Sequence, residues 1–378
     1  MNQSKNTKLV LIGGGHSHAI ALRLWGLNPL PGVDLTLISD VEQTPYSGML
    51  PGHVAGYYSY NETHIDLRSL AEFAGAKLII DRANKLDLIG HKVICQSGNS
   101  IKFDYLSLDI GSTPKTMTVP GADKYAIPAK PVPQFLNAWY QLKQQAKSNS
   151  HCSFSIAIVG GGAGGVELAL NMQACLSQIL QPNRLKISLI HRGDRLLSGH
   201  NDWVSNKLEK IIRKRGIKLY LQQEVTRVTE AGVACHSGFN LECDRLFWIT
   251  QATAPDWIAA SALSTSDKGF VWVTDTLQSV SHPHVFAAGD IATMINYSRP
   301  KAGVFAVRQG KPLFDNWQNI IMGQPLQDYI PQSKYLALIG TGEGEAIASW
   351  SRFGWHSALF WRWKDYIDRQ FMTQFTNE

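Results

Sequence analysis

Three glycines with the spacing of a dinucleotide-binding turn, Gly160, Gly162 and Gly165, follow the apolar run 156–159. In such a turn the first glycine permits a tight bend, the second lets the backbone approach a pyrophosphate, and the third lets the next helix pack closely. The N-terminus of that helix then faces the phosphates. Because a β-like run precedes the glycines and a helical pattern follows them, we predict a dinucleotide site here rather than a purely structural turn.

The residues after the next β-like run decide between the two nicotinamide dinucleotides. A carboxylate at this place would accept hydrogen bonds from a ribose hydroxyl and favour NADH, but this chain has His191 and Arg192. A guanidinium pairs with a 2′-phosphate, so we favour NADPH; alternatively, Arg192 is a solvated loop charge and NADH is used. Glu167, early in the intervening helix, is a candidate for reaching the nicotinamide ribose or amide, or else an ordinary first-turn acid.

A second glycine turn, near the N-terminus, departs from the pattern at its third position. Gly13 and Gly15 follow a β-like run, but His18 stands where glycine or alanine normally allows close packing. We therefore expect either a wider helix–strand spacing or an outward-pointing imidazole. Ser39 and Asp40, at the end of the next β-like run, are the candidates for binding the ribose of the nucleotide held by this turn.

The segment 285–310 supplies further candidates for the same ligand. Gly289 and Asp290 end a run of small and apolar residues, and such a carboxylate can accept a hydrogen bond from an FAD ribityl hydroxyl, although Gly-Asp is also common in surface turns. A helix beginning at Ala302 and Gly303 would direct its positive end at the N1/O2 side of a flavin. Lys301, just before that helix, is a candidate flavin-adjacent residue.

The composition of the chain argues against several classes of site and of function. The 378 residues include five cysteines with no CxxC pair, which argues against a thiol relay, a disulfide framework or a zinc site and favours a reducing, cytoplasmic compartment. A net charge of +6 without basic runs argues against nucleic-acid binding. Histidines near the first glycine turn lack metal-ligand spacing, so we predict no metal site. These histidines are His16, His18, His53 and His64, of which the first two are assigned to the nucleotide-binding loop.

Both glycine turns lie in β-α-β patterns, which predicts an α/β fold with two Rossmann-like dinucleotide-binding domains and a short aromatic C-terminal region. The proline-dense stretch 112–133 is predicted to be neither helix nor central strand and to form the crossover between the domains. The predicted divisions are a first FAD-binding part (1–120), a linker (121–150), an NAD(P)-binding domain (151–265), a second FAD-binding part (266–330) and the C-terminal region (331–378).

The C-terminal segment 350–378 is rich in aromatic residues interleaved with arginine and lysine. Phe360, Trp363, Ile367 and Phe371 have helical spacing and are predicted to share one face. The composition suits a membrane surface, where tryptophan and basic groups meet anionic lipid. It equally suits a homodimer interface or packing against the flavin domain.

The whole arrangement resembles the pyridine nucleotide–disulfide oxidoreductase superfamily, flavoproteins with two dinucleotide-binding domains. The resemblance covers nearly the whole chain and adds Gly111, in the connecting element 108–114, to the expected FAD site. Without a redox disulfide, the chain is more similar to type II NADH dehydrogenases and sulfide:quinone oxidoreductases than to glutathione reductase. The sulfide:quinone enzymes use cysteines near the flavin, and none of the cysteines here has an obviously equivalent position.

A closer resemblance rests on the segments 44–52, 64–67 and 361–372, which look like the flavoprotein module fused ahead of selenide,water dikinase (selenophosphate synthase). That resemblance implies FAD, a nicotinamide nucleotide and a link to selenium metabolism. The segment 44–52 would pass beside the isoalloxazine, where Tyr46 is a candidate for stacking or hydrogen bonding, or else simply fills core.

These resemblances imply an FAD-dependent NAD(P)H oxidoreductase that takes hydride from NADPH or NADH and passes two electrons to an acceptor, with a quinone favoured. The alternatives are a selenium- or sulfur-linked oxidoreductase, or an FAD-binding partner of selenophosphate synthase without turnover. Because the cofactor carries the difficult chemistry, no catalytic triad is expected. The expected location is cytoplasmic, either free or on the cytoplasmic face of a membrane.

Overall fold

A computed structural model describes residues 6–114, 119–250 and 252–376 of the chain. The helices of these residues, in chain order, are α1 (His16–Leu27), α2 (Leu50–Ala55), α3 (Leu67–Phe73), α4 (Ala122–Tyr125), α5 (Val132–Ser148), α6 (Ala163–Leu176), α7 (Asp202–Lys214), α8 (Asp256–Ala260), α9 (Gly303–Ile321) and α10 (Ala358–Thr373). Short 3-10 turns span Asn61–Thr63 and Gly289–Ile291.

The strands alternate with these helices through most of the chain. In order they are β1 (Thr7–Ile12), β2 (Val33–Ser39), β3 (Gln43–Pro45), β4 (His64–Asp66), β5 (Lys77–Ile80), β6 (Ala83–Asp87), β7 (Lys92–Cys95), β8 (Ser100–Lys102), β9 (Tyr105–Leu108), β10 (Thr113–Pro114), β11 (Ile127–Pro128), β12 (Phe154–Val159), β13 (Leu185–Ile190), β14 (Lys218–Tyr220), β15 (Val225–Thr229), β16 (Gly232–Cys235), β17 (Asn240–Glu242), β18 (Arg245–Trp248), β19 (Ala252–Thr253), β20 (Val271–Val273), β21 (Val285–Ala287), β22 (Ala292–Met294), β23 (Ala337–Gly340), β24 (Ala346–Trp350) and β25 (Phe353–Ser357).

The first sheet contains the N-terminal glycine turn and has the strand order β21-β9-β1-β2-β5, all parallel. Strand β1 reads as a continuous apolar run because a central parallel strand is covered on both faces. Helices α1 and α9 pack together beside it. Strand β21 returns to this sheet after the second sheet is complete, so the first unit is built from two separate parts of the chain.

The second sheet repeats this design, with the parallel order β11-β18-β12-β13-β14 and the second glycine turn after β12. Each sheet has a three-stranded antiparallel partner, β6-β7-β8 beside the first and β15-β16-β17 beside the second. The predicted α/β fold with two Rossmann-like units is confirmed.

The predicted linker, 121–150, is itself folded and belongs to the second unit. Strand β11 forms the edge of the second sheet, and α5 packs Phe135 and Trp139 into the core of that unit. Part of the proline-dense stretch 112–133 is therefore regular structure, contrary to expectation. An edge strand tolerates Pro128 and the first helical turn tolerates Pro133, because neither place needs the missing N–H.

The C-terminal region forms an antiparallel sheet, β23-β24-β25, followed by α10. Phe360, Trp363, Ile367 and Phe371 lie in one helix, as their spacing predicts, but they differ in burial. Trp363 and Ile367 are exposed, and the buried side of α10 carries Lys364, Asp368, Phe371 and Met372. A pair of charged residues thus replaces aromatic residues on the inner face. Within the described ranges, no helix is both long and apolar enough to span a bilayer.

Candidate functional site

The first glycine turn has the geometry of a backbone that must approach a ligand. Gly13 has φ +89°, and a Cβ added there would lie 2.4 Å from the carbonyl oxygen of Asp109. Gly15 precedes α1, whose first turn contains no acidic residue. The positive end of the helix dipole is therefore available to an anion such as a pyrophosphate.

His18 is buried beneath this turn, so the expectation of an outward-pointing imidazole is wrong. The ring is fully buried, with Nδ1 2.7 Å from the carbonyl oxygen of Gly13 and Nε2 2.8 Å from the hydroxyl of Ser107. Burial lowers the pKa of His18 to about 4, so the ring is neutral at physiological pH. Nδ1–H then donates to the carbonyl and Nε2 accepts from the serine, which satisfies both nitrogens.

The Gly289–Asp290 turn lies beside the first glycine turn, as the FAD prediction requires. Gly289 has φ +68° and donates its N–H to Gln309 Oε1 at 2.7 Å. The Asp290 carboxylate accepts from Lys130 Nζ at 2.8 Å and from the Ser112 hydroxyl at 3.1 Å. Burial opposes ionisation of Asp290, but the charge and hydrogen bond of Lys130, the Ser112 hydroxyl and the Lys301 charge together hold the pKa of this carboxyl below its usual value.

Helix α9 begins where the sequence predicts, after Ala302. A Cβ on Gly303 would lie 3.8 Å from both the His16 ring and the Ser47 hydroxyl, so the starts of α1 and α9 face each other. The Lys301 ammonium turns away from the helix start: it donates to the Ala292 carbonyl and, at 2.9 Å, to the Thr293 hydroxyl. Burial lowers the pKa of Lys301 to about 8.

The remaining FAD candidates lie around the same turn. Gly111, with φ +67°, reverses the chain after β9 and leads to Ser112. Ser39 is buried and its hydroxyl donates to the Val41 carbonyl at 2.8 Å. Asp40 forms an ion pair with Arg82 at 2.7 Å, and both side chains are half exposed. Sequence reasoning did not anticipate Arg82, because 41 residues separate it from its partner in the chain.

Tyr46 lies between the start of α1 and the C-terminal helix. Its ring centroid is 5.2 Å from that of His16 and 4.5 Å from that of Phe371. Its hydroxyl donates to Asp368 Oδ1 at 3.2 Å. Burial and, secondarily, the Asp368 charge raise the pKa of Tyr46, so the phenol keeps its proton. Burial also lowers the pKa of His16 to about 4.

Three further charged groups accompany Tyr46. Lys364 Nζ donates to Asp368 Oδ2 at 2.5 Å and to the Gly48 carbonyl at 2.7 Å. Glu167 Oε1 accepts from the Gly340 N–H at 2.8 Å. Burial raises the pKa of Glu167 to about 7, although the Lys364 charge opposes the rise. We call Tyr46, Glu167, Lys364 and Asp368 the Tyr46 cluster.

Glu167, the candidate for reaching the nicotinamide ribose or amide, is hydrogen-bonded within the protein. Its carboxyl is held against the C-terminal sheet by the Gly340 N–H, because a buried carboxyl needs a hydrogen-bond donor. Sequence reasoning missed Lys364 and Asp368 altogether. Their i,i+4 spacing within an aromatic segment was the available signal, and only the fold shows that they point inward.

The second glycine turn closes more tightly than the first. Gly160 has φ +131°, and Cβ atoms added at Gly160 and Gly165 would lie 2.1 Å from the Ile249 carbonyl oxygen and 1.9 Å from the Gly160 carbonyl oxygen. Gly162 has open space around it. His191 Nδ1 accepts from the Gly161 N–H at 3.1 Å, and the neighbouring Arg192 is exposed.

A cavity of about 840 Å³ opens between the two sheets. Residues of both units line it, including Ser112, Lys130, Trp248, Thr250, Asp290 and Lys301. Its size suits the reactive ends of two cofactors, and its lysines suit an anionic ligand. Among the described residues, no three metal-ligating side chains are grouped closely enough to hold an ion.

These features fit two dinucleotides held end to end. Each glycine turn is packed so closely that a side chain would collide with the neighbouring backbone, and each precedes a helix whose first turn has no acid. Asp290 lines the cavity between the two units, and its carboxylate is bonded to Lys130. The first turn, the 289–290 turn and the start of α9 would hold FAD, and the second turn would hold NAD(P)H.

Comparisons with known proteins agree with this geometry. Residues 7–310 match the family model described as pyridine nucleotide-disulphide oxidoreductase. The chain is 25% identical over 337 residues to the NADH dehydrogenase-like protein YutJ of Bacillus subtilis (strain 168), across 88% of this chain and 89% of that protein. It is 24% identical over 331 residues to the alternative NAD(P)H-ubiquinone oxidoreductase C1 of Arabidopsis thaliana, across 77% of this chain and 62% of that protein.

A solved structure shows the same fold. The structure of NDH2 from Plasmodium falciparum in complex with NADH superposes with a TM-score of 0.82 at 17% identity, over 98% of this chain and 97% of that one. The expected cofactors, FAD and NADPH or NADH, and the expected class, an FAD-dependent NAD(P)H dehydrogenase, are confirmed. The chain belongs to the pyridine nucleotide-disulphide oxidoreductase family.

Proposed function

We propose that this protein transfers two electrons from NAD(P)H to a quinone, in the balance NAD(P)H + H⁺ + quinone → NAD(P)⁺ + quinol. FAD, when bound, supplies the hydride and electron chemistry. The residues of the chain position the two substrates and supply the proton. Gly13, Gly15 and Gly289 form the FAD cradle, and Gly160 and Gly162 form that of the nicotinamide dinucleotide.

The Tyr46 cluster is the observation that carries the quinone assignment. The segment 44–55, which leads from β3 into α2, contains no cysteine, and its inner face presents a phenol in place of a thiol. The Tyr46 phenol keeps its proton, and Glu167 has a pKa near neutrality. Glu167, when protonated, can donate a hydrogen bond to a quinone oxygen and exchange a proton with it, and Tyr46 can do so when its hydroxyl turns from Asp368 to the quinone. The relative from Arabidopsis thaliana, named for ubiquinone, supports the same acceptor.

The acceptor is tested by anaerobic reduction of the flavin with NADPH, followed by mixing with a quinone, selenite or elemental sulfur. We expect fast reoxidation by the quinone only. Tyr46→Phe removes one hydroxyl and should lower the quinone reoxidation rate while leaving flavin reduction by NADPH unchanged. Reoxidation by selenium or sulfur species but not by any quinone would overturn the proposal.

A function linked to selenium metabolism is the second candidate. It is supported by the resemblance of the segments 44–52, 64–67 and 361–372 to the flavoprotein module associated with selenophosphate synthase. Under this alternative the protein delivers a reduced chalcogen to that synthase, or binds it as a partner without turnover. Co-purification with selenophosphate synthase, together with the acceptor screen, distinguishes it from the quinone proposal.

The nucleotide preference and the cellular site complete the proposal. Arg192 is exposed beside the second glycine turn, where it can pair with a 2′-phosphate, so NADPH is the preferred donor. The protein would act in the cytoplasm, at the membrane face where a quinone is dissolved.

An exposed aromatic surface supports contact with that membrane. It combines residues of α7, β24, β25 and α10, with Phe353 77% and Trp355 68% exposed. Gly354 allows β25 to lie flat on Trp203, since a Cβ there would lie 2.3 Å from the indole. The other members of this surface are Trp350, Leu359, Trp363, Tyr366 and Ile367.

Vesicle binding tests this surface. We expect the protein to sediment with vesicles containing anionic lipid, and the double variant Phe353→Ser/Trp355→Ser to remain in solution. The homodimer alternative predicts instead that the same variant changes the mass measured by sedimentation in the absence of lipid. Equal sedimentation of both proteins with vesicles would contradict membrane contact through these strands.

A further inference from the structure

A buried carboxyl lies beneath the whole FAD cradle. Asp109 follows β9 and is 2% exposed. Cβ atoms added at Gly15 and at Gly289 would each lie 2.3 Å from this carboxyl group. The same side chain therefore packs against both turns that hold the cofactor. Its Oδ2 also accepts from the His18 N–H at 3.0 Å, within the first turn of α1.

The groups around Asp109 do not neutralise its charge. From α1 it accepts hydrogen bonds from the Ser17 side chain and from the backbone N–H groups of Ser17 and His18, and the imidazoles of His16 and His18 on this helix are neutral at physiological pH. From the 289–291 turn it faces Asp290, a like charge whose own ion pair is with Lys130. Burial and, secondarily, Asp290 raise the pKa of Asp109 to about 7, against the hydrogen bonds from α1.

The second glycine turn lacks such a group. Gly160 is packed against the carbonyl of Ile249 just as Gly13 is packed against the carbonyl of Asp109, so the two residues occupy matching places. An isoleucine cannot titrate. The acid is therefore a specific feature of the FAD half and not a requirement of the turn.

We propose that Asp109 must be protonated for FAD to bind, so that FAD uptake consumes a proton and the protein releases its cofactor as the pH rises above neutrality. FAD brings a pyrophosphate to the turn that this carboxyl supports, and an ionised Asp109 would repel it in a site of low dielectric constant. The inference rests on FAD binding and not on the identity of the acceptor.

The direction of the pH dependence follows from linkage. Below about pH 7 Asp109 is already protonated in the apoprotein, so the FAD dissociation constant is independent of pH. Above about pH 7 each binding event must take up a proton, so the dissociation constant rises by up to about tenfold per pH unit. Asp290, His16 and His18 do not change charge in this window, but Lys301, whose pKa burial lowers to about 8, loses its proton within it and adds a smaller pH dependence that does not involve Asp109.

The test is a fluorescence titration of apoprotein with FAD between pH 6 and 9, on the full chain. We expect the FAD dissociation constant of the wild type to be independent of pH below about pH 7 and to rise by up to about tenfold per pH unit above it. Asp109→Asn keeps the shape and an acceptor for the His18 N–H but cannot ionise, so the slope of its affinity against pH should be smaller than that of the wild type, with only the part due to Lys301 remaining. Asp104→Asn is the matched control, because Asp104 precedes the same strand at its other end and accepts from the Lys8 N–H. It should keep the wild-type slope.

Calorimetry on the wild type gives a second measurement that no folding defect of a variant can obscure. At pH 8, titrations in two buffers of different ionisation enthalpy should show uptake of close to one proton per FAD. A flat wild-type affinity, an Asp109→Asn slope equal to that of the wild type, or no proton uptake would each overturn the proposal. Failure to bind FAD at any pH would overturn it together with the cofactor assignment. None of these readouts depends on a quinone.

Discussion

The two glycine turns have similar backbones but rest on different supports. Beneath the first lie the buried carboxyl of Asp109 and the imidazole of His18, held by specific hydrogen bonds. Beneath the second lie Ile249 and Gly165, packed closely against it, and the Gly161 N–H of this turn donates to the half-buried His191. A dinucleotide turn can thus be supported by packing or by a buried polar network. We expect the polar version to be more sensitive to pH and to the loss of a hydrogen-bond partner than the packed version.

The largest difference is expected when the middle glycine of each turn gains a methyl group. Gly15→Ala places a Cβ 2.3 Å from the Asp109 carboxyl, which cannot move because it is enclosed. We expect loss of FAD and destabilisation of roughly 2–4 kcal/mol from this overlap. Gly162→Ala meets open space, so its unfolding free energy should stay close to that of the wild type while NAD(P)H binding weakens.

Chemical denaturation of the two apoproteins, with flavin absorbance of the purified proteins, measures this contrast. The apoprotein is the proper reference because bound FAD would itself add stability. If the Gly15→Ala and Gly162→Ala apoproteins are equally stable, Asp109 accommodates the added methyl group without a loss of stability. The two turns then do not differ in their tolerance of a side chain.

The sequence predicts the backbone of both turns but not their supports. The positions of Gly13, Gly15 and Gly160 follow from local spacing, since a β run, glycines and a helix pattern are contiguous in the chain. Asp109 reaches Gly15 across 93 intervening residues, so no local pattern reports the contact. A buried acid is also an unusual choice, and hydrophobic periodicity cannot predict it.

The Tyr46 cluster shows the same limit. The aromatic composition of α10 predicts that part of the helix surface is apolar, but it does not predict which residues point inward. The structure buries Lys364 and Asp368 because each satisfies the other and because Lys364 also reaches the Gly48 carbonyl. This set of hydrogen bonds depends on Gly48, more than three hundred residues away, and cannot be predicted from the sequence of the helix alone.

A similar loss of stability, but without a steric overlap at the cofactor turn, is expected from a change at His18, the residue that stands where the second turn has Gly165. His18→Ala removes a fully buried ring, leaves a cavity beside Trp317, and deprives Ser107 of its partner. We expect a loss of about 2–4 kcal/mol in the unfolding free energy, measured by urea denaturation. His18→Gln, which can replace one hydrogen bond, should recover part of that loss. If His18→Ala leaves the unfolding free energy unchanged, the first turn, like the second, needs only a small residue at this position.

The smallest effects are expected at the strand ends, where charged groups of both units are exposed. Arg192→Ala should raise the KM for NADPH by about tenfold and leave the KM for NADH within about twofold, because only NADPH carries the 2′-phosphate. The corresponding change in the first unit, Arg82→Ala, removes a half-exposed ion pair with Asp40 and should cost no more than about 1 kcal/mol of stability. Steady-state kinetics with both nucleotides, at one fixed salt concentration, measures the first effect. If Arg192→Ala raises both KM values equally, the guanidinium contributes general attraction to a dinucleotide, and the second turn does not select NADPH through this residue.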